Sequence, residues 1–158
     1  MLRPVLFYLA IGIMSLLPAA ELTVATFNVR LATRGDQGTR NWNARKDLVV
    51  ETIRKMSPDL LGVQEALPQQ MDYLSEGLPG YERFGVGRDD GKNRGEYSAL
   101  FIRSERLERD PEEGGTFWLS ATPGEAGSKT WGNQVTRICT WARLVAVSYT
   151  HLRAHETR

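Results

Sequence analysis

Residues 59–67 read DLLGVQEAL, a short and mostly apolar run whose polar residues Gln64 and Glu65 lie near its C-terminal end. A run of this kind is typical of a strand that is buried on both faces of a sheet. Pro58 ends any helix before the strand, because the residue that precedes a proline is pushed out of the helical region. The stretch therefore predicts a central strand of an α/β protein, with a carboxylate where that strand ends.

Helix and strand patterns alternate on both sides of this strand. Upstream, residues 22–30 (LTVATFNVR) are rich in β-branched and aromatic residues and predict a first strand. Between Ala44 and Met56 apolar residues recur at helical spacing. Downstream, Pro68 can occupy the first position of a second helix that continues to about Glu76. The order strand, helix, strand, helix indicates an α/β fold.

The remainder of the chain has a different pattern, with short strands joined by turns. Turn segments rich in Gly, Asp and Pro separate them. The predicted strands cover residues 81–86, 98–102, 116–119 and 137–145. A long loop is predicted over residues 123–132.

Composition is that of a soluble globular domain. The 158 residues are 41% hydrophobic and 25% charged, with a formal net charge of +1. Such a nearly neutral chain has no basic surface for gripping long nucleic acid, so charge does not indicate a nucleic-acid partner, although one is not excluded. Cys139 is the only cysteine, so no disulfide can form within the chain. No stable protein partner is indicated either.

The first 20 residues have the pattern of a secretory signal peptide. Arg3 precedes an apolar run from Val5 to Leu17, and the small residues Ala19 and Ala20 follow. The run is too short for a comfortable membrane span, although an uncleaved anchor is the alternative. We therefore expect a protein exported to the periplasm or the exterior, with a folded domain over residues 21–146.

Three residues at strand ends could carry chemistry: Asn28, Glu65 and Arg137. In open α/β sheets, ligands bind at the carboxyl ends of strands. The carboxylate of Glu65 suits Mg²⁺, which takes few protein carboxylates and retains waters or phosphate oxygens. Considered alone, an Asn or Glu at a strand end is more often a cap or a solvated residue.

Six segments in a fixed order make the pattern more specific. The segments are ATFNVR, DLLGVQEAL, GVGRDDG, GEYSALFIR, GTFWLS and RICTWARL. Together they resemble the endonuclease/exonuclease/phosphatase superfamily with its DNase I-like fold, and within it secreted bacterial members near the Ccr4-type group. The resemblance covers Leu22 to Leu144. It implies the N-terminal part of a four-layer α/β sandwich, in which mixed β-sheets are flanked by helices.

The resemblance also implies roles for five residues. Glu65 matches a principal Mg²⁺ ligand, and Asn28 matches an asparagine that helps to organise the metal, the phosphate and the attacking water. Glu96 lies within one residue of a carboxylate that supports the catalytic histidine, and a turn residue is the alternative. Tyr97 could face the phosphate or belong to the core. Arg137 matches an arginine that contacts the substrate phosphate, with a surface salt bridge as its alternative.

The activity implied is metal-assisted hydrolysis of a phosphate mono- or diester, with Mg²⁺ as cofactor and Mn²⁺ as a substitute. The family supplies its histidine and further Asp and Asn residues later, in N-T-H, G-D-x-N and closing Asp-His motifs. His151 does not match this pattern, because no turn separates it from the preceding strand. We therefore expect a fragment of an exported phosphoesterase that is itself inactive.

The final twelve residues have a simpler explanation than a catalytic segment. Residues 147–158, VSYTHLRAHETR, resemble the translated sequence of a transposon-end sequencing adapter over eleven consecutive positions. We expect this tail to be adapter-derived.

Alternative functions are a noncatalytic binding module on the same fold and a sphingomyelinase-like lipid phosphodiesterase. The identity of the phosphate-ester substrate is not specified by the sequence.

Overall fold

A computed structural model describes residues 21–147. The proposed signal peptide, and the tail apart from Val147, lie outside the described residues, so both remain predictions. Within residues 21–147, no helix combines the length and the apolar character needed to cross a membrane.

The described chain has two β-sheets and two helices. The elements are β1 (Val24–Asn28), α1 (Trp42–Met56), β2 (Leu60–Ala66), α2 (Pro68–Gly77), β3 (Tyr81–Phe84), β4 (Tyr97–Arg103), β5 (Leu107–Trp118) and β6 (Ile138–Ala146), with a 3-10 turn at Gly38–Arg40. The first sheet has the order β1-β2-β4-β3, and β5 pairs with β6 in the second. This mixed α/β arrangement agrees with the fold class that the resemblance of the sequence implies.

Local chemistry explains where the first helix begins and ends. The side chain of Asn41 caps α1 by accepting a hydrogen bond from the backbone N–H of Asn43 at 2.9 Å. At the other end Ser57 adopts a left-handed conformation, with φ of 48°, directly before Pro58. Apolar spacing predicts a start at Ala44, two residues later than the observed Trp42, because the cap at Asn41 and not the apolar spacing sets the first turn.

The core lies between the helices and the first sheet. Ile53 of α1, Leu61 and Val63 of β2, Leu74 of α2 and Phe101 of β4 are fully buried in a single apolar cluster. The central position of β2, between β1 and β4, explains why its sequence is so apolar.

Strand β5 is much longer than the sequence indicates. We predicted a strand only over residues 116–119, because the segment ERDPEEGG is rich in turn-forming residues. Instead the strand begins at Leu107 and pairs with β6, with an irregular register between Arg109 and Gly114. Long-range pairing overrides the local preference here.

Candidate functional site

The sheet topology brings several strand ends to one edge. Strands β1 and β2 are parallel, so Asn28 and its register partner Gln64 lie at the same end of the sheet. Strand β4 is antiparallel to β2, so its beginning, near Ser98, lies at that edge as well. A cleft of about 210 Å³ opens there. Its lining residues are Asn28, Gln64, Glu65, Arg88, Glu96, Tyr97, Ser98, Thr136, Arg137 and Ile138.

Glu65 occupies an unusual backbone conformation in this cleft. Its φ is +64°, in the left-handed region that side-chain-bearing residues rarely adopt. The pairing of β2 with β4 shifts register between Gln64 and Ala66, which is a bulge around Glu65. A bulge of this kind redirects a side chain, and the left-handed conformation costs about 1–2 kcal/mol. Strain of this kind clusters at functional sites, which supports a ligand-binding role for the carboxylate.

Asn28 orients the Glu65 carboxylate. The Asn28 Nδ2 donates to Glu65 Oε1 at 2.7 Å, and the Asn28 Oδ1 accepts from the backbone N–H of Arg30 at 2.8 Å. The amide therefore has a fixed direction, with its N–H group aimed at the carboxylate. Its role as a direct metal ligand stays a prediction, whereas its contact with Glu65 is present in the structure.

The loop after β1 is held by side chains from both helices. The backbone oxygen of Arg30 accepts from Arg45 Nη2 at 2.7 Å and from Gln70 Nε2 at 3.0 Å. The guanidinium of Arg30 pairs with buried Asp36 at 2.6 Å. This hydrogen bond lowers the pKa of Asp36 and raises the pKa of Arg30. The network fixes the backbone to which the Asn28 side chain is bound.

Glu96 contacts an arginine in this structure. Its Oε1 lies 2.7 Å from Nη2 of Arg88, and both side chains are mostly buried at 16% exposed. No histidine occurs among residues 21–147. The predicted support of a catalytic histidine by Glu96 therefore stays a prediction.

Tyr97 lines the cleft and also belongs to the core, with only 4% of its surface exposed. Its hydroxyl donates to the backbone oxygen of Lys92 at 3.0 Å and lies 3.2 Å from Asn93 Oδ1. Burial raises the pKa of the Tyr97 phenol above its ordinary value. In this arrangement Tyr97 stabilises the loop before β4, and phosphate binding by its hydroxyl stays a prediction.

Arg137 is exposed at the mouth of the cleft, immediately before β6. Across residues 21–147, its guanidinium makes no salt bridge or hydrogen bond. The surface salt bridge considered as an alternative is therefore not present among these residues. A guanidinium without a partner is suited to bind a phosphate.

The described residues offer few metal ligands. In the segment from 21 to 147, no group of three or more His, Cys, Asp or Glu side chains could enclose a metal ion. One carboxylate, oriented by Asn28, is nevertheless compatible with Mg²⁺, which commonly binds through one or two carboxylates plus waters and phosphate oxygens. The donor set fits a hydrated divalent cation and does not fit a closed structural site.

The sequence analysis assigns no site role to four polar residues that line the cleft: Gln64, Arg88, Ser98 and Thr136. Gln64 and Ser98 are adjacent to predicted site residues, so strand position could have indicated them. The segment GRDDG, which contains Arg88, is rich in turn-forming residues and predicts a loop near the mouth of the site, without a role for Arg88 itself. The signal available was a Glu eight residues later, within the same loop.

Comparison with known proteins identifies similar sequences and folds. The Endonuclease/Exonuclease/phosphatase family matches residues 25–145. An endonuclease/exonuclease/phosphatase from Bacteroides vulgatus is 41% identical with a TM-score of 0.74, over 79% of this chain and 47% of that chain. A family protein from Bacteroides thetaiotaomicron is 38% identical with a TM-score of 0.75, over 81% of this chain and 46% of its own.

A third similar structure carries a specific name. The mannosyl-6-phosphatase Bt3783 of Bacteroides thetaiotaomicron is 38% identical with a TM-score of 0.74, over 80% of this chain and 46% of that chain. The comparison with curated proteins gives no match. The present chain thus spans about half the length of the structures it resembles.

Proposed function

The chain belongs to the endonuclease/exonuclease/phosphatase family, and on that premise we propose that it is part of a metal-dependent enzyme that hydrolyses phosphate esters. One observation carries the proposal. Five residues assigned to this chemistry from the sequence line one cleft, although they come from four separate segments of the chain. These residues are Asn28, Glu65, Glu96, Tyr97 and Arg137.

The cofactor proposed for this cleft is Mg²⁺, with Mn²⁺ as a substitute. Glu65 would hold it, helped by Asn28, and the ion would neutralise charge on the phosphoryl oxygens. The bulge at Glu65 and the hydrogen bond from Asn28 support this assignment, because both fix the carboxylate before any ligand binds.

The protein's own groups then act on the ester. The Arg137 guanidinium binds a phosphoryl oxygen and compensates its charge. The hydroxyl groups of Ser98 and Thr136, which line the same cleft, can donate hydrogen bonds to the same group. Asn28 keeps the Glu65 carboxylate in one position, and a ligand group that is fixed before binding reduces the entropic cost of the reaction.

Hydrolysis itself is proposed for the whole protein. The resemblance implies a histidine and further Asp and Asn residues from the part of the family fold that this chain does not span. Members of an active site act as a unit, so a chain without these groups should show hydrolysis close to background. Residues 21–147 alone are proposed to bind the metal ion and phosphate.

Export is a separate proposal that rests on residues 1–20. Cell fractionation and N-terminal sequencing of the mature protein would test it. A mature chain that begins near Glu21 and is recovered outside the cytoplasm is expected. A protein that retains Met1 in the cytoplasm would contradict it.

The direct test of function is hydrolysis by the complete gene product in the presence of Mg²⁺. Sugar phosphates come first among the substrates, because a similar structure is named a mannosyl-6-phosphatase. Nucleotides, a synthetic phosphodiester and sphingomyelin vesicles represent the other ester classes. We expect hydrolysis of at least one class, and its loss in Glu65→Gln. Mg²⁺ binding without hydrolysis of any of them would instead favour a noncatalytic binding module.

A further inference from the structure

Arg88 is a cleft residue for which the proposed function has no use. It lies in the loop between β3 and β4, and its side chain is 16% exposed. Its Nη2 pairs with Glu96 at 2.7 Å, and its Nε lies 3.8 Å from Asp89 Oδ1. A guanidinium so deeply placed beside a cleft requires a structural or a ligand-binding explanation.

The loop that carries Arg88 is held in one conformation. The backbone oxygen of Arg88 accepts from Trp118 Nε1 at 2.7 Å. A Cβ at Gly87 would lie 2.3 Å from the backbone oxygen of Arg94, so only glycine permits this close approach. Asp90 Oδ1 accepts from the backbone N–H groups of Lys92 and Arg94 at 2.8 and 2.9 Å. The backbone therefore presents Arg88 to the cleft with little freedom to move.

One donor of the guanidinium is unsatisfied. Arg88 Nε is buried, and within the described part of the chain it has no hydrogen-bond partner. Arg109 provides a contrast outside the cleft. It is 20% exposed, and its Nε donates to Glu82 Oε1 at 2.8 Å. Of these two arginines of similar burial, the one in the cleft lacks an acceptor for Nε and the other has one. An orphaned donor beside a cleft is explained if a ligand supplies the acceptor.

We propose that Arg88 contacts phosphoryl oxygens of the substrate in this cleft, and that Glu96 is a positioning residue that orients Arg88. The inference rests on the proposed function and extends it, since Arg88 joins Arg137 as a second guanidinium for the same ligand. The ligand class is a phosphate ester with at least two unbridged oxygens, which a guanidinium can bind in a bidentate way. Arg88 Nε is the donor that the ligand would engage, while Nη2 keeps its contact with Glu96.

The experiment is a titration of the chain with inorganic phosphate in the presence of Mg²⁺, followed by amide and arginine Nε–H signals in NMR spectra. Arg88→Gln should weaken phosphate binding about tenfold or more, because a charge-assisted pair is lost. Arg88→Lys keeps the positive charge but lacks the planar guanidinium. Its phosphate affinity should therefore lie between those of the unmodified chain and Arg88→Gln. Arg109→Gln is the matched control, which removes an equally buried arginine outside the cleft and should leave phosphate binding unchanged.

The role of Glu96 requires a double-mutant cycle. Glu96→Gln should weaken phosphate binding several-fold when Arg88 is present and should have no further effect in Arg88→Gln. Glu82→Gln is its matched control. Equal losses from Glu96→Gln in both backgrounds would contradict the positioning role.

Three other outcomes have separate meanings. If the unmodified chain binds phosphate and Arg88→Gln binds it equally well, the role of Arg88 is wrong and the proposed function stands. If the unmodified chain binds no phosphate, the proposed site fails as a whole, together with Arg88. If Arg88→Gln does not fold, Arg88→Lys decides. Phosphate affinity in Arg88→Lys equal to that of the unmodified chain, together with an Arg88 Nε–H signal of the unmodified chain that phosphate does not shift, would overturn the inference.

Discussion

The two ends of strand β2 carry carboxylates with opposite surroundings. Asp59, just before the strand, is 5% exposed, accepts from the backbone N–H of Thr23 at 2.9 Å and pairs with Arg106 at 3.3 Å and Arg103 at 3.5 Å. Glu65, near the other end, has one hydrogen bond from Asn28 and, within residues 21–147, no salt bridge.

This difference indicates a structural role for Asp59 and a ligand-binding role for Glu65. The charge of Asp59 is compensated by protein groups, so it stabilises the fold and is not available to a ligand. The carboxylate of Glu65 is oriented by Asn28 but, within residues 21–147, forms no salt bridge, and its backbone is strained. A carboxylate in that condition is prepared for a cation that arrives from outside.

The largest expected effect is on metal binding. Glu65→Gln should lower the affinity for Mg²⁺ by about 100-fold or more, because even residues that only support metal ligands commonly contribute 10–100-fold. The free energy of unfolding should change by less than about 1 kcal/mol, since no salt bridge is broken. Calorimetric Mg²⁺ titration and urea unfolding measure the two quantities. Unchanged Mg²⁺ affinity would remove Glu65 from the metal site.

Substitution of Asp59, at the other end of β2, should lower stability and leave Mg²⁺ affinity unchanged. Asp59→Asn leaves Arg103 and Arg106 without their shared buried partner, so the free energy of unfolding should fall by about 3 kcal/mol. Mg²⁺ affinity of the folded protein should not change. Urea unfolding of Asp59→Asn beside Glu65→Gln provides the comparison. A loss of Mg²⁺ affinity in Asp59→Asn, measured where the protein is still folded, would show that the two ends are not independent.

Asn28 should have a smaller effect, through Glu65. Asn28→Ala removes the hydrogen bond that orients the carboxylate and should weaken Mg²⁺ binding by about tenfold. Asn43→Ala, on the exposed surface of α1, is the control for loss of an asparagine side chain. A loss as large as that in Glu65→Gln would indicate that Asn28 is itself a ligand.

Because the backbone at residue 65 is strained, a glycine there should give a more stable protein than an alanine. Glu65→Gly should be about 1 kcal/mol more stable than Glu65→Ala, because glycine adopts a φ of +64° without steric cost. Both variants lose the carboxylate, so Mg²⁺ binding is equally weak in each. Equal unfolding free energies would mean that the conformation at residue 65 is not strained in solution.

The smallest effect is the pH dependence that comes from Asp36. Its pKa is lowered from the ordinary 3.8, first by the hydrogen bond from Arg30. A lowered pKa contributes stability that is complete above about 3.8 and is lost as the pH falls through the folded-state value. Asp36→Asn should therefore be less stable than the unmodified protein at neutral pH, and the difference should shrink in acid. Urea unfolding across the acid range measures it, and a difference that grows in acid would reverse the assignment.

The sequence predicted the elements that are specified locally. Helix α1 follows from apolar spacing and Pro58, and β2 follows from its uninterrupted apolar run. The left-handed conformation of Glu65 could not be predicted, because the bulge depends on register with β4, more than thirty residues away. The beginning of β5 was missed because its pairing with β6 is also long-range.

The site residues also divide into those that the sequence pattern indicates and those that depend on the folded structure. Asn28 and Glu65 were found because the carboxyl ends of neighbouring parallel strands lie together. Arg137 was found because it opens the last predicted strand and matches an arginine of the family that the sequence resembles. Arg88 was missed, because its importance depends on burial and on an unsatisfied Nε, neither of which is visible in the segment GRDDG. A buried arginine with turn-forming neighbours cannot be distinguished by sequence pattern from an exposed loop residue.

The most direct test of the account compares the two ends of β2 in one experiment. Mn²⁺ is paramagnetic, so adding small amounts to the isotope-labelled chain broadens NMR signals close to the bound ion. If the ion binds at Glu65, the amide signals of Gln64, Glu65 and Ser98 broaden first, while those of Asp59 and Arg103 remain sharp. Broadening that begins at Asp59 and Arg103, or that affects both ends equally, would contradict a metal site at the C-terminal end of the strand.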